Sequence, residues 1–214
     1  MPRITILGGT GYAGSAIAYE AQKRGHHVTV YSRHAPVDPL AGVTYVTGSV
    51  LDHSYLVSAV DDTDVVFETI SPRGNMAGKL EAVVDELMKL ADEASVRFGV
   101  LGGASSLLVS PDGPRLFDTT QFAAENLPEV NTGIALLDAL REGPQTLDWF
   151  YISPAAGFGA WSPSVVTGAY RTSNDVLLTD DNGESSLSAA DLATAVLDEI
   201  EKPKHRRQRF HVAH

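Results

Sequence analysis

The sequence predicts an α/β fold with a doubly wound parallel sheet. Short apolar runs alternate with helical patterns about five times in the first half of the chain, which is typical of a parallel sheet with helices on both faces. Hydrophobic residues make up 43% of the 214 residues and charged residues 20%, enough for a substantial core. We therefore expect one domain over residues 1–214, with the substrate-side elements mainly in residues 153–188.

Seven short apolar or β-branched runs predict strands. The first of them stops at Gly8, and the fifth stops at Gly102. Residues 162–181 are rich in Gly, Ser, Thr and Asp, so we expect loops and small strands there. In chain order the predicted strands are Arg3–Leu7, His27–Tyr31, Val43–Thr47, Asp64–Phe67, Arg97–Leu101, Asp148–Ile152 and Arg209–Ala213.

Five segments carry apolar residues at helical spacing. Gly25 ends the first, because glycine tolerates the left-handed conformation that closes a helix. Ser188 and Asp191 form a variant of the capping box at the start of the last. The predicted helices are Tyr12–Arg24, Asp52–Val60, Ala77–Ser95, Phe122–Arg141 with a break near Pro128, and Ser188–Glu201.

Charge and composition exclude several classes of partner and site. The net charge of −11 repels phosphate backbones and anionic lipid, so we expect neither nucleic acid nor a membrane as partner. The absence of cysteine excludes disulfides and thiolate metal clusters, and the seven histidines match no metal-binding spacing. No apolar run is long enough to span a bilayer and no targeting pattern precedes the first strand, so a cytoplasmic location is expected.

The glycine-rich run GGTGYAG, residues 8–14, fits G-x-G-x-x-G between a predicted strand and a predicted helix. In such a turn the early glycines let the backbone approach a pyrophosphate, and Gly14 lets the helix pack closely on the strand. The helix N-terminus offers free N–H groups to the phosphates. An ordinary strand-to-helix turn is the alternative, but the regular alternation that follows favours a dinucleotide site.

The end of the second predicted strand bears on the choice of nucleotide. NAD-binding proteins usually place Asp or Glu there, on the ribose 2′-hydroxyl. This chain has Ser32, Arg33 and His34, and the next acid is Asp38. A guanidinium suits a 2′-phosphate, to which Thr10 could add a hydroxyl, so NADP(H) is favoured over NAD(H). The alternative for Arg33 is a solvated surface charge.

The chain resembles the atypical short-chain dehydrogenase/reductases. The runs GGTGYAG, SRH, GSVLD, ISP and GGASSLLV carry this resemblance, together with SPAAGFG and the C-terminal segment from TGAYRTSND onward. The sequence is most similar to the NAD(P)H-binding group of NmrA-like proteins, biliverdin reductase B-like proteins and NADH-flavin reductase-like proteins. The resemblance covers nearly the whole chain and implies a Rossmann-like sheet with a small C-terminal substrate-side region.

The resemblance also implies roles for individual residues. Where the family begins the pair after strand three with Asp, this chain has Ser49, which weakens the contact to adenine. Ser105 stands where the wider superfamily has a catalytic serine, although it could equally bond the loop backbone, and Tyr170 could reach a substrate. The implied cofactor-binding residues are Gly8, Thr10, Gly11, Tyr12, Ala13, Arg33, His34, Ser49, Val50, Ile70, Ser71, Pro72, Gly103, Ala104, Ser153, Pro154 and Ala155.

The Tyr-x-x-x-Lys pair of carbonyl-reducing relatives is missing from its usual place. Only Tyr19 and Lys23 fit the spacing, on the first predicted helix and far from the expected nicotinamide. Hydride transfer to a flavin needs less help from an acid than carbonyl reduction, because the ring delocalises the charge. Trp161 is the best candidate for an exposed ring on the substrate side, whereas Phe122 and Phe158 are expected in the core.

These observations favour an NADPH-dependent reductase of a flavin or quinone-like planar acceptor. The alternative is an NADP(H)-sensing, NmrA-like regulatory protein without turnover, which the missing Tyr-x-x-x-Lys pair also suits. A sugar-nucleotide epimerase is the weakest interpretation, because the proton-handling tyrosine and lysine are absent. The sequence gives no indication of an oligomeric state.

Overall fold

An eight-stranded sheet forms the centre of the structure, a computed structural model that describes all 214 residues. The strand order is β3-β2-β1-β4-β5-β6-β8-β7, and every neighbouring pair is parallel except β7 with β8 at one edge. The strands are β1 Arg3–Leu7, β2 His27–Ser32, β3 Val43–Thr47, β4 Val65–Glu68, β5 Arg97–Leu101, β6 Trp149–Pro154, β7 Arg171–Ser173 and β8 Gln208–Ala213.

Six α-helices accompany the sheet. They are α1 Tyr12–Lys23, α2 His53–Val60, α3 Leu80–Glu93, α4 Leu116–Thr119, α5 Leu127–Glu142 and α6 Ala189–Glu201. Helices α1 and α6 share one hydrophobic core on one face of the sheet, and α2, α3 and α5 share a second core on the other. The predicted doubly wound α/β fold is therefore confirmed, with both faces of the parallel strands covered.

Two of the predicted helix starts are confirmed in detail. The Asp52 carboxylate accepts a hydrogen bond from the backbone N–H of Ser54 at 3.0 Å. The Ser188 hydroxyl accepts one from the N–H of Asp191, also at 3.0 Å. Each cap satisfies a donor that the first helical turn would otherwise leave without an acceptor.

A glycine in β5 makes room for aromatic rings in the α1–α6 core. The rings of Phe67 on β4 and Phe150 on β6 stack with centroids 5.6 Å apart. A Cβ on Gly99, which lies between them on β5, would stand 2.3 Å from Phe67 and 2.4 Å from Phe150. The two rings therefore meet across β5 only because its central residue has no side chain.

Three helical predictions need correction. Pro128 does not break a helix: it lies in the first turn of α5, where the missing N–H has no acceptor to lose. Residues 122–123 are not helical, and a 3₁₀ turn, Ala124–Asn126, leads into α5. Helix α3 begins at Leu80 rather than Ala77, because a separate 3₁₀ turn, Gly74–Met76, precedes it.

A buried ion pair joins β5 to α6 at the amino end of the sheet. Arg97 donates to the Glu199 carboxylate at 2.6 Å, and its guanidinium lies 4.3 Å from the centroid of the Phe150 ring. The same carboxylate accepts from the backbone N–H groups of Lys204 and His205. Burial opposes ionisation of Glu199, but the hydrogen bonds from His205 and Arg97 outweigh it and lower its pKa.

Replacing Glu199 with alanine should lower the free energy of unfolding by about 3–5 kcal/mol, because Arg97 would remain buried without its main counter-charge. Urea unfolding at neutral pH measures this difference. The matched control is Glu142→Ala on the exposed end of α5, which should change stability by about 0.5 kcal/mol or less. Equal stabilities for the two variants would contradict the importance of the buried pair.

Candidate functional site

The predicted site residues gather at the carboxyl edge of the sheet. Because β1 to β6 are parallel, the segments that follow them open on the same edge. Chain order reverses between β1 and β4, where a crevice for ligands forms in open α/β sheets. The segments that meet there are residues 8–14 after β1, 33–34 after β2, 49–50 after β3, 70–72 after β4, 103–105 after β5 and 153–155 at the end of β6.

The turn between β1 and α1 is packed too tightly to hold side chains at its glycines. Gly8 has a φ of +78°, and a Cβ there would lie 2.9 Å from the Thr69 hydroxyl oxygen. A Cβ on Gly14 would lie 2.4 Å from the Gly8 carbonyl oxygen and 2.7 Å from the Gly9 Cα. Helix α1 therefore begins in direct contact with the end of β1, which is the arrangement that a pyrophosphate cradle requires.

The first turn of α1 leaves its donors free. Gly11 is the N-cap residue and offers no side chain, so the first-turn N–H groups have no intrahelical acceptor and no capping group. Thr10, Gly11 and Tyr12 are exposed, whereas Ala13 is buried. The Tyr12 ring packs against Phe158, with centroids 5.5 Å apart. The free donors and the helix dipole fit the phosphates of a dinucleotide.

A guanidinium without a partner lies beyond the end of β2. Arg33 and His34 are exposed, and Arg33 forms no ion pair and no hydrogen bond. The Ser32 hydroxyl is already engaged, since it donates to the His34 carbonyl at 2.7 Å. The strand thus ends without a carboxylate for a ribose 2′-hydroxyl and with a cation free to meet a phosphate.

The segment after β3 is held by local bonds. The Ser49 hydroxyl accepts from the N–H of Leu51 at 3.2 Å, and the Ser49 carbonyl accepts from Asp52 at 3.0 Å. Ser49 is exposed and Val50 is half-buried. The serine that replaces the family's aspartate therefore shapes the turn into α2 and carries no charge toward an adenine.

A buried carboxyl that sequence reasoning missed ends β4. Glu68 is fully buried, and one of its oxygens accepts from the backbone N–H of Ile70. Its other oxygen, Oε2, is buried without a hydrogen-bond partner, and no cation pairs with it. Burial raises the pKa of Glu68 from its ordinary value of 4.5 to about 8. The signal in the sequence for this buried carboxyl was an acidic residue directly after the apolar run DVVF, residues 64–67.

Tyr151 fastens the segment after β5 to α5. Its buried hydroxyl donates to the Gly133 carbonyl at 2.8 Å and accepts from the Gly103 N–H at 3.1 Å. A Cβ on Gly102 would stand 1.7 Å from the tyrosine ring. Burial raises the pKa of Tyr151 to about 12. The tyrosine therefore anchors the loop after β5 to α5.

The two candidate catalytic residues lie in different surroundings. Ser105 lies in the loop after β5, is buried, and accepts from the Phe117 N–H through its carbonyl at 2.8 Å. Tyr170, the other candidate, has its hydroxyl engaged by a residue of α6. Its hydroxyl donates to Asp198 at 2.6 Å, and Asp198 pairs with Arg24 beyond the far end of α1. The sequence placed Tyr170 in a loop and did not indicate that its side chain would reach α6.

The residues at the end of β6 are buried. Ser153 is fully buried, with its hydroxyl 3.5 Å from the Arg209 guanidinium and its carbonyl 2.8 Å from His211 Nδ1. Pro154 and Ala155 are buried as well. Arg209 also donates to the hydroxyl of Ser106 at 3.2 Å and to the carboxylate of Asp175. These hydrogen bonds connect the segment that follows β5 with strands β6 and β8.

The remaining aromatic and lysine side chains considered in the sequence are exposed or half-buried. Tyr19 is exposed on α1 and Lys23 pairs with Glu20 at 3.2 Å, so this tyrosine and lysine are surface groups. Trp161 is exposed to 65%. Phe158 is half-buried, as is Phe122, which stacks on Phe117 rather than joining either core.

Two further observations concern metals and membranes. No group of three or more histidine, cysteine, aspartate or glutamate side chains lies close enough together to hold a metal ion. No helix combines the length and the apolar character that crossing a bilayer requires.

Comparisons with known proteins agree with this geometry. The model of a family of NAD(P)H-binding proteins matches residues 8–203. The uncharacterised Bacillus subtilis protein YwnB is 34% identical over 216 residues, which covers 98% of this chain and 97% of that protein. A proposed exported protein from Burkholderia pseudomallei superposes over 100% of both chains, with a TM-score of 0.86 and 36% identity. A proposed NADH-flavin reductase from Streptococcus pneumoniae gives 0.84 and 27%, over 100% of this chain and 99% of that one.

The buried Glu68 should make stability fall as pH rises. Between pH 4.5 and about 8 the unfolded chain has lost a proton that folded Glu68 keeps. The free energy of unfolding should then fall by at most about 1.4 kcal/mol per pH unit and level off above that range. Glu68→Gln should remove this slope, and Glu81→Gln should keep it. Urea unfolding across this range measures it, and a constant difference between wild type and Glu68→Gln would contradict the assignment.

Proposed function

Because the chain belongs to the NAD(P)H-binding family of the atypical short-chain dehydrogenase/reductases, we propose that it uses NADPH to reduce a planar acceptor, a flavin or a quinone-like compound. The observation that carries the choice of nucleotide is the partner-free Arg33 at the end of β2, where no carboxylate is present. The glycine turn with its free N–H groups supports a dinucleotide at the same edge.

The chain's own residues divide the work of holding the nucleotide. The turn of Gly8, Thr10, Gly11, Tyr12 and Ala13 binds the pyrophosphate, and Arg33 binds the 2′-phosphate with His34 near the adenine. The segments at 49–50, 70–72, 103–104 and 153–155 line the adenine, the ribose and the nicotinamide. When bound, the nucleotide supplies a hydride.

The acceptor class follows from what the site lacks. Helix α5 carries no tyrosine or lysine, and Tyr19 and Lys23 lie on the surface of α1. Reduction of a flavin delocalises the charge over the ring and takes its proton from solvent, so the protein needs to stack the rings rather than supply an acid. The similarity to a proposed NADH-flavin reductase supports the same acceptor class.

The whole chain acts as one unit with its substrate-side elements in residues 153–188, and the exposed Trp161 ring is available to a planar acceptor. Ser105 lies beside the nicotinamide. The protein works in the cytoplasm, without a metal ion and without nucleic acid or a membrane as partner.

Arg33→Ala should weaken binding of NADPH by about ten- to a hundredfold and leave NADH nearly unchanged, since one charge-assisted contact to the 2′-phosphate is lost. Fluorescence titration of both nucleotides measures the dissociation constants. The control is Arg206→Ala, which removes an exposed arginine paired with Asp148. Equal weakening of NADPH and NADH in Arg33→Ala would overturn the 2′-phosphate assignment.

Turnover separates the reductase from the alternative, an NADP(H)-sensing protein that the missing tyrosine and lysine would also suit. Oxidation of NADPH, followed by absorbance, should exceed the buffer rate with FMN, FAD or a quinone. Tight nucleotide binding with no oxidation in the presence of any of the three would instead support the sensor.

A further inference from the structure

Glu68 lies at the carboxyl edge of the sheet, near segments proposed to bind the nucleotide, where a charge on the nucleotide would act on its carboxyl group. It is the last residue of β4, paired in register with Leu7 of β1 and Val100 of β5. Its Oε1 holds the N–H of Ile70, in the segment proposed to line the ribose. Tyr151 lies in the same row across the sheet as Glu68, since both residues pair in register with Val100, and the Tyr151 hydroxyl accepts from the Gly103 N–H in the segment proposed for the nicotinamide. The carboxyl thus lies between the two segments.

The surroundings of Glu68 supply no counter-charge. Tyr151 of β6 is the ionisable side chain in the same row across the sheet, and its hydroxyl is engaged by Gly133 and Gly103. Ionisable groups on the other packed elements are engaged elsewhere: His53 of α2 with Glu86 of α3, Glu81 of α3 with Thr132 of α5, and Arg73 with Glu129 of α5. Oε2 has no partner at all. An ionised Glu68 would therefore need a positive charge brought in from outside.

The nicotinamide ring supplies a positive charge only in the oxidised nucleotide, because the ring is cationic when oxidised and uncharged when reduced. We propose that Glu68 is a positioning residue that couples nucleotide binding to proton release, losing its proton when the oxidised nucleotide binds and keeping it when the reduced nucleotide binds. The inference rests on the proposed nucleotide site. A nearby cation favours a buried carboxylate, whereas a neutral ring leaves the cost of burial in force.

The consequence is a preference that changes with pH. The ratio of the NADPH dissociation constant to the NADP⁺ dissociation constant should rise by about tenfold from about pH 6 to about pH 8.5. The 2′-phosphate also titrates, near pH 6, but it is common to both nucleotides, so its effect cancels in the ratio. Glu68→Gln should make the ratio independent of pH. Glu81→Gln, a carboxyl-to-amide change on α3 that can still accept from Thr132, should keep the wild-type dependence.

Titration calorimetry of the full-length wild-type protein provides a second test of the inference, beside the variants. At about pH 7, in buffers of different ionisation enthalpy, NADP⁺ should release more protons from the wild-type protein than NADPH does. If both nucleotides bind but release equal numbers of protons, or if Glu68→Gln keeps the dependence of the ratio on pH, the inference is overturned and the nucleotide site stands. If neither nucleotide binds, the proposed function falls together with it.

Discussion

The contact between the start of α1 and the end of β1 is the constraint on which the rest of the site depends. Gly14 lies against the carbonyl of Gly8, so the helix cannot withdraw from the strand without opening the turn. Thr69, the residue after β4, packs against the same contact and donates to the Leu7 carbonyl at 2.8 Å. The turn, the free helix donors and the end of β4 are therefore one packed unit at the point where strand order reverses.

Most of the fold could be predicted because its strands are nearly continuous apolar runs, as strands covered on both faces must be. Arg3–Leu7 and Arg97–Leu101 are largely buried and have the predicted bounds. The prediction was weakest between β5 and β6. There the Ser105 carbonyl accepts a hydrogen bond from the Phe117 N–H, and Leu108 forms isolated β-bridges with both Arg115 and Val176. These contacts join distant segments, and no local periodicity records them.

The sequence alone indicated those parts of the candidate site that consist of backbone or of an exposed charge, as in the glycine turn and Arg33. The candidate site was not predictable where burial decides a side chain's behaviour. Glu68 reads as an ordinary acid until its neighbours are known, and Tyr151 becomes an anchor only when Gly103 and Gly133 meet it. Tyr170 shows the converse, because the sequence places it in the substrate-side segment while its hydroxyl donates to Asp198 of α6.

The short antiparallel β7 has a consequence for how the molecule meets copies of itself. A long, flat, apolar edge would present unpaired N–H and C=O groups as a template for another chain. Here the edge is three residues, Arg171–Ser173, with polar side chains, and it runs opposite to its neighbour. The Arg171 guanidinium reaches back to the carbonyl of Thr179 at 2.9 Å. At this edge, beside β8, the sheet therefore does not present a long strand on which another copy could pair.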